Sequence, residues 1–278
     1  MQTSEVAPMA TDESEQRDLH ELDGTHVALC SGGRESTVAT HVAVRWGPCD
    51  IIAYLDTGTG AEANKRFVER VADAFGATLL TIRTPEDYSE LVEEHGFPGP
   101  SQHAKMYTAL KERQIGRLAT LTNGHGNGSD LHLWTGVRLR ESRNRMAHVE
   151  RVQQRDRWTW VAPIHDWTEQ EVRRYHERLR LPTNHLWSTL GRSGDCFCGA
   201  FGSPEELIDA EAAGCERLVE QLSDLEDSLD RDHERGRWAW GGMSPVEQRA
   251  ERVDDEQMLL CSDCGPDLPT ATDGGRDD

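Results

Sequence analysis

Two kinds of residue cluster in this chain can bind or attack rather than only pack. The first is Leu29-Cys30-Ser31-Gly32-Gly33-Arg34-Glu35-Ser36-Thr37, where an apolar run breaks at two glycines and resumes with helical spacing. Glycines at such a break let backbone N–H groups converge where a side chain would block an oxyanion, and the helix that follows adds its partial positive end. Ser31 and Ser36 can donate hydroxyl hydrogen bonds to the same anion, and Arg34 can supply charge. The stretch reads as an anion nest or as an ordinary strand-to-helix turn. The second cluster is Arg138, Arg140, Arg143, Arg145, Arg151, Arg155 and Arg157, faced only by Glu141, Glu150 and Asp156. It reads as an anion site, with Arg138 and Arg143 as the contacts, or as a solvated salt-laced surface. Lys105, Lys111 and Arg113 form a smaller cationic group.

Seven cysteines add a third kind of chemistry. Cys261 and Cys264 have the two-residue spacing of a metal knuckle, and Cys196 and Cys198 form a tighter pair about sixty residues earlier. The two pairs could close a four-thiolate site for zinc or an iron–sulfur cluster, Cys261 and Cys264 could be catalytic redox thiols, or all could be plain surface thiols. Cys30, Cys49 and Cys215 read as small core residues.

The rest of the composition sets bounds. A net charge of -20 would ordinarily oppose a nucleic-acid partner, yet the chain has only three lysines, Lys65, Lys105 and Lys111, with arginine supplying the rest of the positive charge. An acidic, lysine-poor surface suits a halophilic protein, whose self-repulsion salt screens. No stretch approaches the roughly 20 apolar residues of a membrane span. The first residues are acidic rather than basic and apolar, so the expectation is a cytoplasmic protein with no membrane partner.

These clusters need elements to hold them. His26–Cys30, Asp50–Leu55 and Ala77–Ile82 read as buried strands, and Thr37–Trp46 and Glu62–Phe75 as the helices between them. That alternation predicts a parallel sheet with right-handed crossovers. Glu86–Glu94 and His103–Leu118 read as further helices, Leu131–Val137 and Trp158–Pro163 as the fourth and fifth strands. Thr168 and Glu171 have capping-box spacing ahead of a helix that Pro182 ends. Pro204–Leu229 and Pro245–Leu260 read as helical. The expected organisation is a disordered acidic tail over 1–23, a nucleotide-binding domain over 24–202, a helical extension with a cysteine pair over 203–265, and a disordered tail over 266–278. The fold class is α/β: a five-stranded, mostly parallel sheet flanked by helices, with a helical C-terminal extension.

Four ordered motifs then carry a resemblance. Ser31-Gly32-Gly33-Arg34-Glu35-Ser36 is similar to the SGG(K/R)DS pyrophosphate loop (PP-loop) of the ATP pyrophosphatase superfamily, the adenine nucleotide alpha-hydrolase-like fold. Tyr54–Gly60, Trp134–Arg145 and the segments PIHDWTEQEVRRY and LPTNHLW resemble signatures of the phosphoadenosine phosphosulfate (PAPS) reductase family. The resemblance implies an adenine nucleotide, ATP or PAPS, held by Ser31, Gly32, Gly33, Arg34, Glu35, Ser36, Asp56, Thr57, Gly58, Gly136, Arg138, Glu141, Ser142 and Arg143. It implies an enzyme of sulfur metabolism, with a thiol or sulfur-carrier protein as a further partner. The alternatives are an ATP-dependent sulfurtransferase acting on nucleic acid, as in DNA phosphorothioation or tRNA thiolation, or a nucleotide-binding module without chemistry. Mg²⁺ would accompany ATP. A [4Fe-4S] cluster or Zn²⁺ would sit on Cys196, Cys198, Cys261 and Cys264. The sequence departs from the family at three points: Glu35 stands where the loop usually has Asp, Asp195 stands at the first cysteine of a Gly-Cys-x-x-Cys, and the tandem cysteine pair that cluster-bearing reductases place near Lys111 is missing.

Overall fold

Alternation along β1 (Thr25–Leu29) explains the whole architecture. Val27 and Ala28 are both fully buried although they point to opposite faces, so this strand must be covered on both sides. A computed structural model of the chain describes residues 22–85, 87–123, 131–139, 150–155 and 157–229. In it, β1 lies within a six-stranded sheet of order β3-β2-β1-β4-β6-β5. The strands β2 (Ile51–Asp56), β3 (Thr78–Arg83), β4 (Leu131–Trp134) and β6 (Trp158–Val161) run parallel with β1, as the five expected strands require. The sixth, β5 (Val152–Arg155), pairs antiparallel with β6 at the edge. Its sequence, Val-Gln-Gln-Arg, carries one apolar residue, so no alternation marked it in advance.

One face of the sheet packs Ala28, Ile52, Tyr54 and Trp134 against α1 (Arg34–Arg45) and α2 (Glu62–Phe75). The other packs Val27, Ala53, Leu131 and Leu133 against Ile115 and Leu118. Those two residues belong to α5 (Arg113–Asn123), which follows α3 (Tyr88–His95) and α4 (His103–Tyr107). Between α4 and α5 the helix does not run straight: Thr108–Glu112 forms a π turn, where the sequence reads as one continuous helix. The extra backbone residue rotates everything after it, and such turns favour functional positions.

The capping box is formed as expected. Thr168 Oγ1 accepts from the Glu171 N–H at 3.3 Å and Glu171 Oε2 accepts from the Thr168 N–H at 2.7 Å, starting α6 (Glu169–Leu179). Val172 and Tyr175 of α6 then pack on Val38 and Val42 of α1. After α7 (Leu186–Leu190), helices α8 (Pro204–Ala212) and α9 (Glu216–Ser228) close a separate core with Tyr88, Val92, Met106, Leu110 and Phe197. The start of the C-terminal extension is therefore packed into the same body as the sheet-flanking helices. The expected helix Pro245–Leu260, residues 1–21 and the tail over 266–278 lie outside the described residues, whereas Leu22, expected in the acidic tail, packs on the core beside the sheet.

Thr168→Ala should lower stability by about 1 kcal/mol, the usual worth of a side-chain cap. A denaturation curve checks it: the midpoint should fall with an unchanged slope, and an unmoved midpoint would show that the box does not set the start of α6.

Candidate functional site

The strand order reverses between β1 and β4, because β2 and β3 build outward on one side and β6 and β5 on the other. An open α/β sheet leaves a crevice at such a point, beyond the carboxyl ends of its strands. A cleft of about 560 Å³, counted with its open mouth, lies there, lined by Leu29, Cys30, Ser31, Ser36, Ala53, Tyr54, Leu55, Lys111, Thr135, Gly136, Val137 and Asp195.

The loop after β1 is held from beneath. Gly32 has φ +90°, and a Cβ there would fall 2.1 Å from Asn64 Oδ1, so only glycine fits. Asn64 Nδ2 donates to the Ser31 carbonyl at 2.8 Å. Asn184 Nδ2 lies within donating distance of the Gly32 carbonyl at 3.1 Å, the Ser193 carbonyl at 3.1 Å and Asn64 Oδ1 at 2.8 Å. With both carbonyls taken up by buried amides, the turn has no freedom to flip, and α1 begins at the rim of the cleft. Ser31 Oγ donates to Ser36 Oγ at 3.1 Å, and Ser36 Oγ donates to the Gly33 carbonyl at 3.0 Å. Both hydroxyls line the cleft.

Gly136 closes the opposite wall. A Cβ on it would stand 2.7 Å from the Glu35 carbonyl carbon and the Ser36 nitrogen, so the glycine lets the segment after β4 lie against the start of α1. Arg138 follows and pairs with Glu35, Nη2 to Oε1 at 3.3 Å, with both residues buried. The Arg34 guanidinium stacks over Trp187 at 4.1 Å. Asp56 Oδ2 meets Arg83 Nε at 3.1 Å and Lys65 Nζ at 4.0 Å, and its Oδ1 accepts from the Gly58 N–H at 3.1 Å. Thr57 is fully buried and donates to the Asp195 carbonyl at 3.1 Å. On this side Ala53, Tyr54 and Leu55 line the cleft, while Asp56, Thr57 and Gly58 brace it. Glu141, Ser142, Arg143, Cys261 and Cys264 lie outside the described residues.

The floor of the cleft is an ion pair. The π turn swings Lys111 inward, and its Nζ donates to Asp195 Oδ2 at 2.9 Å with both side chains buried. Burial by itself would raise the Asp195 carboxyl, but Lys111, the Ser193 hydroxyl at 3.0 Å and Arg192 together hold it below the ordinary aspartate range. Burial and the nearby Asp195 carboxylate push the Tyr54 phenol well up, so it stays protonated. Behind the ion pair, the thiol of Cys196 is drawn down to about 6, mainly because Cys198 donates to it, with Lys111 assisting against burial. Cys198 is raised correspondingly.

Two implied groups can be tested against these donors. A protein-held Mg²⁺ wants free carboxylates, yet Glu35, Asp56 and Asp195 are each already bound to a cationic side chain. A four-thiolate cluster needs two more sulfurs than Cys196 and Cys198, and Asp195 is committed to Lys111. Among the described residues no group of three or more potential ligands surrounds a metal position. The described carboxylates therefore do not fit a protein-held Mg²⁺, and the described residues hold two of the four expected cluster sulfurs, Cys261 and Cys264 lying outside them. Asn64, Asn184 and Tyr54 were not singled out from sequence. Buried side-chain amides leave no periodic signal, although Asn184 stands inside the quoted LPTNHLW.

The chain matches the family described as phosphoadenosine phosphosulfate reductase domain over residues 25–198. It is 27% identical over 176 residues to phosphoadenosine 5'-phosphosulfate reductase of Xylella fastidiosa (strain 9a5c), covering 58% of this chain and 67% of that protein. It is 27% identical over 190 residues to the protein of the same name from Alkalilimnicola ehrlichii, covering 66% and 73%. Among solved structures, a PAPS reductase from Candida auris in a phosphate complex aligns with TM-score 0.48 and 16% identity, over 66% of this chain and 86% of that one.

Lys111→Met should destabilise the fold by about 3–5 kcal/mol, because it strands a buried carboxylate. Lys111→Met with Asp195→Asn should recover most of that loss. The depressed Asp195 carboxyl adds stability that is complete above the ordinary aspartate range and disappears as pH falls through its folded value. Denaturation midpoints against pH check both points: the double variant should lack this part of the acid loss, and a single variant as stable as the double one would remove the ion pair from its place in the fold.

Proposed function

Because the chain belongs to the phosphoadenosine phosphosulfate reductase domain family, we propose that it is an adenine-nucleotide-dependent enzyme of sulfur metabolism that takes a sulfonucleotide such as PAPS. One observation carries the choice over Mg²⁺-ATP: the carboxylates described at and beside the cleft, Glu35, Asp56 and Asp195, are neutralised by Arg138, by Arg83 with Lys65, and by Lys111. A site arranged in this way is suited to a ligand whose negative charge meets N–H groups, hydroxyls and guanidinium rather than a shared metal ion.

In this reading the start of α1, with Ser31 and Ser36, holds the phosphate oxygens, and Arg138 with Arg143 serves the anionic end. Glu141 and Ser142 belong to the same segment. Arg34, stacked on Trp187, has its guanidinium plane preset at the mouth. A thiolate attacks the sulfate sulfur; the new S–S bond forms as the S–O bond to the nucleotide breaks, and the nucleotide leaves with the electron pair. The attacking thiol is assigned to the Cys261–Cys264 pair. A second thiol, from that pair or from a thiol-carrying partner protein, then displaces sulfite.

The reading is tested by incubating the full chain at high salt with PAPS and a thiol reductant, and in parallel with Mg²⁺-ATP. Sulfite release that persists in a chelator is expected. Mg²⁺-dependent pyrophosphate release without sulfite would overturn it in favour of an ATP-cleaving sulfurtransferase, and binding without either product would favour a non-catalytic module. Ser36→Ala should weaken PAPS binding by about tenfold, the worth of one hydrogen bond to a charged group. Unchanged affinity by calorimetry would take Ser36 out of the site.

A further inference from the structure

Arg34 differs from the other cations at the loop and the cleft floor in what it meets. Lys65 and Arg83 meet Asp56, Lys111 meets Asp195, and Arg138 meets Glu35, the residue next to Arg34. Among the described residues no carboxylate pairs with Arg34. Its guanidinium carbon lies instead 4.1 Å from the centre of the Trp187 ring. Arg45 and Arg70 also stack on rings, but on Trp46 and Phe67, a few residues away along their own helices. The Arg34 contact joins α1 to α7, so it exists only in the folded chain.

Trp187 is seated by the residue that also holds the loop. Its N–H donates to the Asn184 carbonyl at 3.2 Å, its carbonyl accepts from the Gly191 N–H at 3.0 Å, and Leu186 beside it is fully buried. The Asn184 side chain reaches the Gly32 carbonyl at 3.1 Å. One buried residue thus sets both the turn that precedes Arg34 and the ring on which Arg34 lies. Gly33, the N-cap of α1, offers no side-chain acceptor to the first N–H groups of the helix.

We propose that Trp187 is a positioning residue for anion capture: the indole holds the Arg34 guanidinium in one plane, so that its N–H edge meets two oxygens of a single phosphate or sulfate group at the start of α1. Trp187 has this role on the reading above, that the cleft takes a nucleotide bearing such a group. A guanidinium donates in a planar fork that matches paired oxygens, and stacking occupies its face while leaving the in-plane donors to the ligand. An arginine on an unsupported stem loses rotamer freedom when the anion arrives. One already stacked has lost much of it on folding, so binding has less ordering to offset. A carboxylate set against Arg34 would order it equally well but cancel the charge that the ligand meets, in a chain whose net charge is already -20. An aromatic face orders the guanidinium without neutralising it.

A double-mutant cycle on the full chain tests the role, read as PAPS affinity by calorimetry at high salt without a reductant, with Mg²⁺-ATP titrated in parallel. Trp187→Leu should weaken binding about fivefold, and Trp187→Tyr, which keeps a ring face, should stay within about twofold of the wild type. Arg34→Met should weaken binding by about tenfold or more, and adding Trp187→Leu to it should change nothing further. A tryptophan that only supports the fold, or that touches the ligand itself, would weaken binding equally with Arg34 present or replaced. Equal loss in the two backgrounds, or no loss on Trp187→Leu, would overturn the proposal. Where Trp187→Leu folds poorly, the wild type decides by nuclear magnetic resonance. The Arg34 side-chain protons, assigned by their loss in Arg34→Met, should be shifted upfield by the indole before ligand is added, and unshifted signals would overturn the role. If the wild type binds Mg²⁺-ATP and not PAPS, the sulfonucleotide reading falls and the same cycle on ATP decides the role of Trp187. Binding of neither nucleotide removes both.

Discussion

The turn after β1 exists because Gly32 carries no side chain and because Asn64 and Asn184 rise beneath it to take up the carbonyls of Ser31 and Gly32. Each amide comes from a distant part of the chain, Asn64 from α2 and Asn184 from the segment before α7. Asn184 also accepts from the Leu186 N–H and reaches Ser193, so the same atoms that set the loop also seat the segment leading to Asp195 and Cys196. A buried polar network of this kind rigidifies when every member is satisfied and fails as a unit when one is lost. The loop side of the cleft depends on it.

Charge is distributed in two regimes. The chain as a whole carries a net charge of -20. The cleft instead contains carboxylates paired one by one with arginine or lysine, and two of those pairs, Glu35 with Arg138 and Asp195 with Lys111, are buried. A buried pair adds little net stability against an apolar alternative, but breaking one is expensive because the partner is left desolvated. Such pairs are therefore better understood as positioning devices. They hold Lys111 at the cleft, and two of the residues that depart from the family pattern are members of them: Glu35 pairs with Arg138, and Asp195 with Lys111.

How much could be read in advance differs by element. The five parallel strands, α2 and the capping box at Thr168 carry their signals locally, in apolar runs and side-chain chemistry a few residues apart. β5 does not, because an edge strand of Val, Gln and Arg is fixed by backbone pairing and by a cross-strand bond from Thr159 Oγ1 to Gln154 Oε1, neither of which shows as alternation. The break at Thr108–Glu112 was equally silent: the residues there are compatible with an ordinary helix, and packing of Leu110 into one core and Ile115 into another imposes the extra residue. In the site, the loop and Gly136 were legible as motifs. Asn64 and Asn184 were not, since a buried amide looks like any exposed one until its partners are known.

By itself the sequence determined the class of fold, the position of the glycine turn at the end of a strand, and the four motifs that mark the family, because each depends on residues close together in the chain. Only the tertiary structure decided which charges meet and what stands beside the Cys196 sulfur. Asp56 is held by Arg83, Glu35 by Arg138 and Asp195 by Lys111, and Thr59 Oγ1 lies 3.5 Å from the Cys196 sulfur. Electrostatic and hydrogen-bonding partners are chosen by distance in space and by desolvation, and neither quantity is written along the chain.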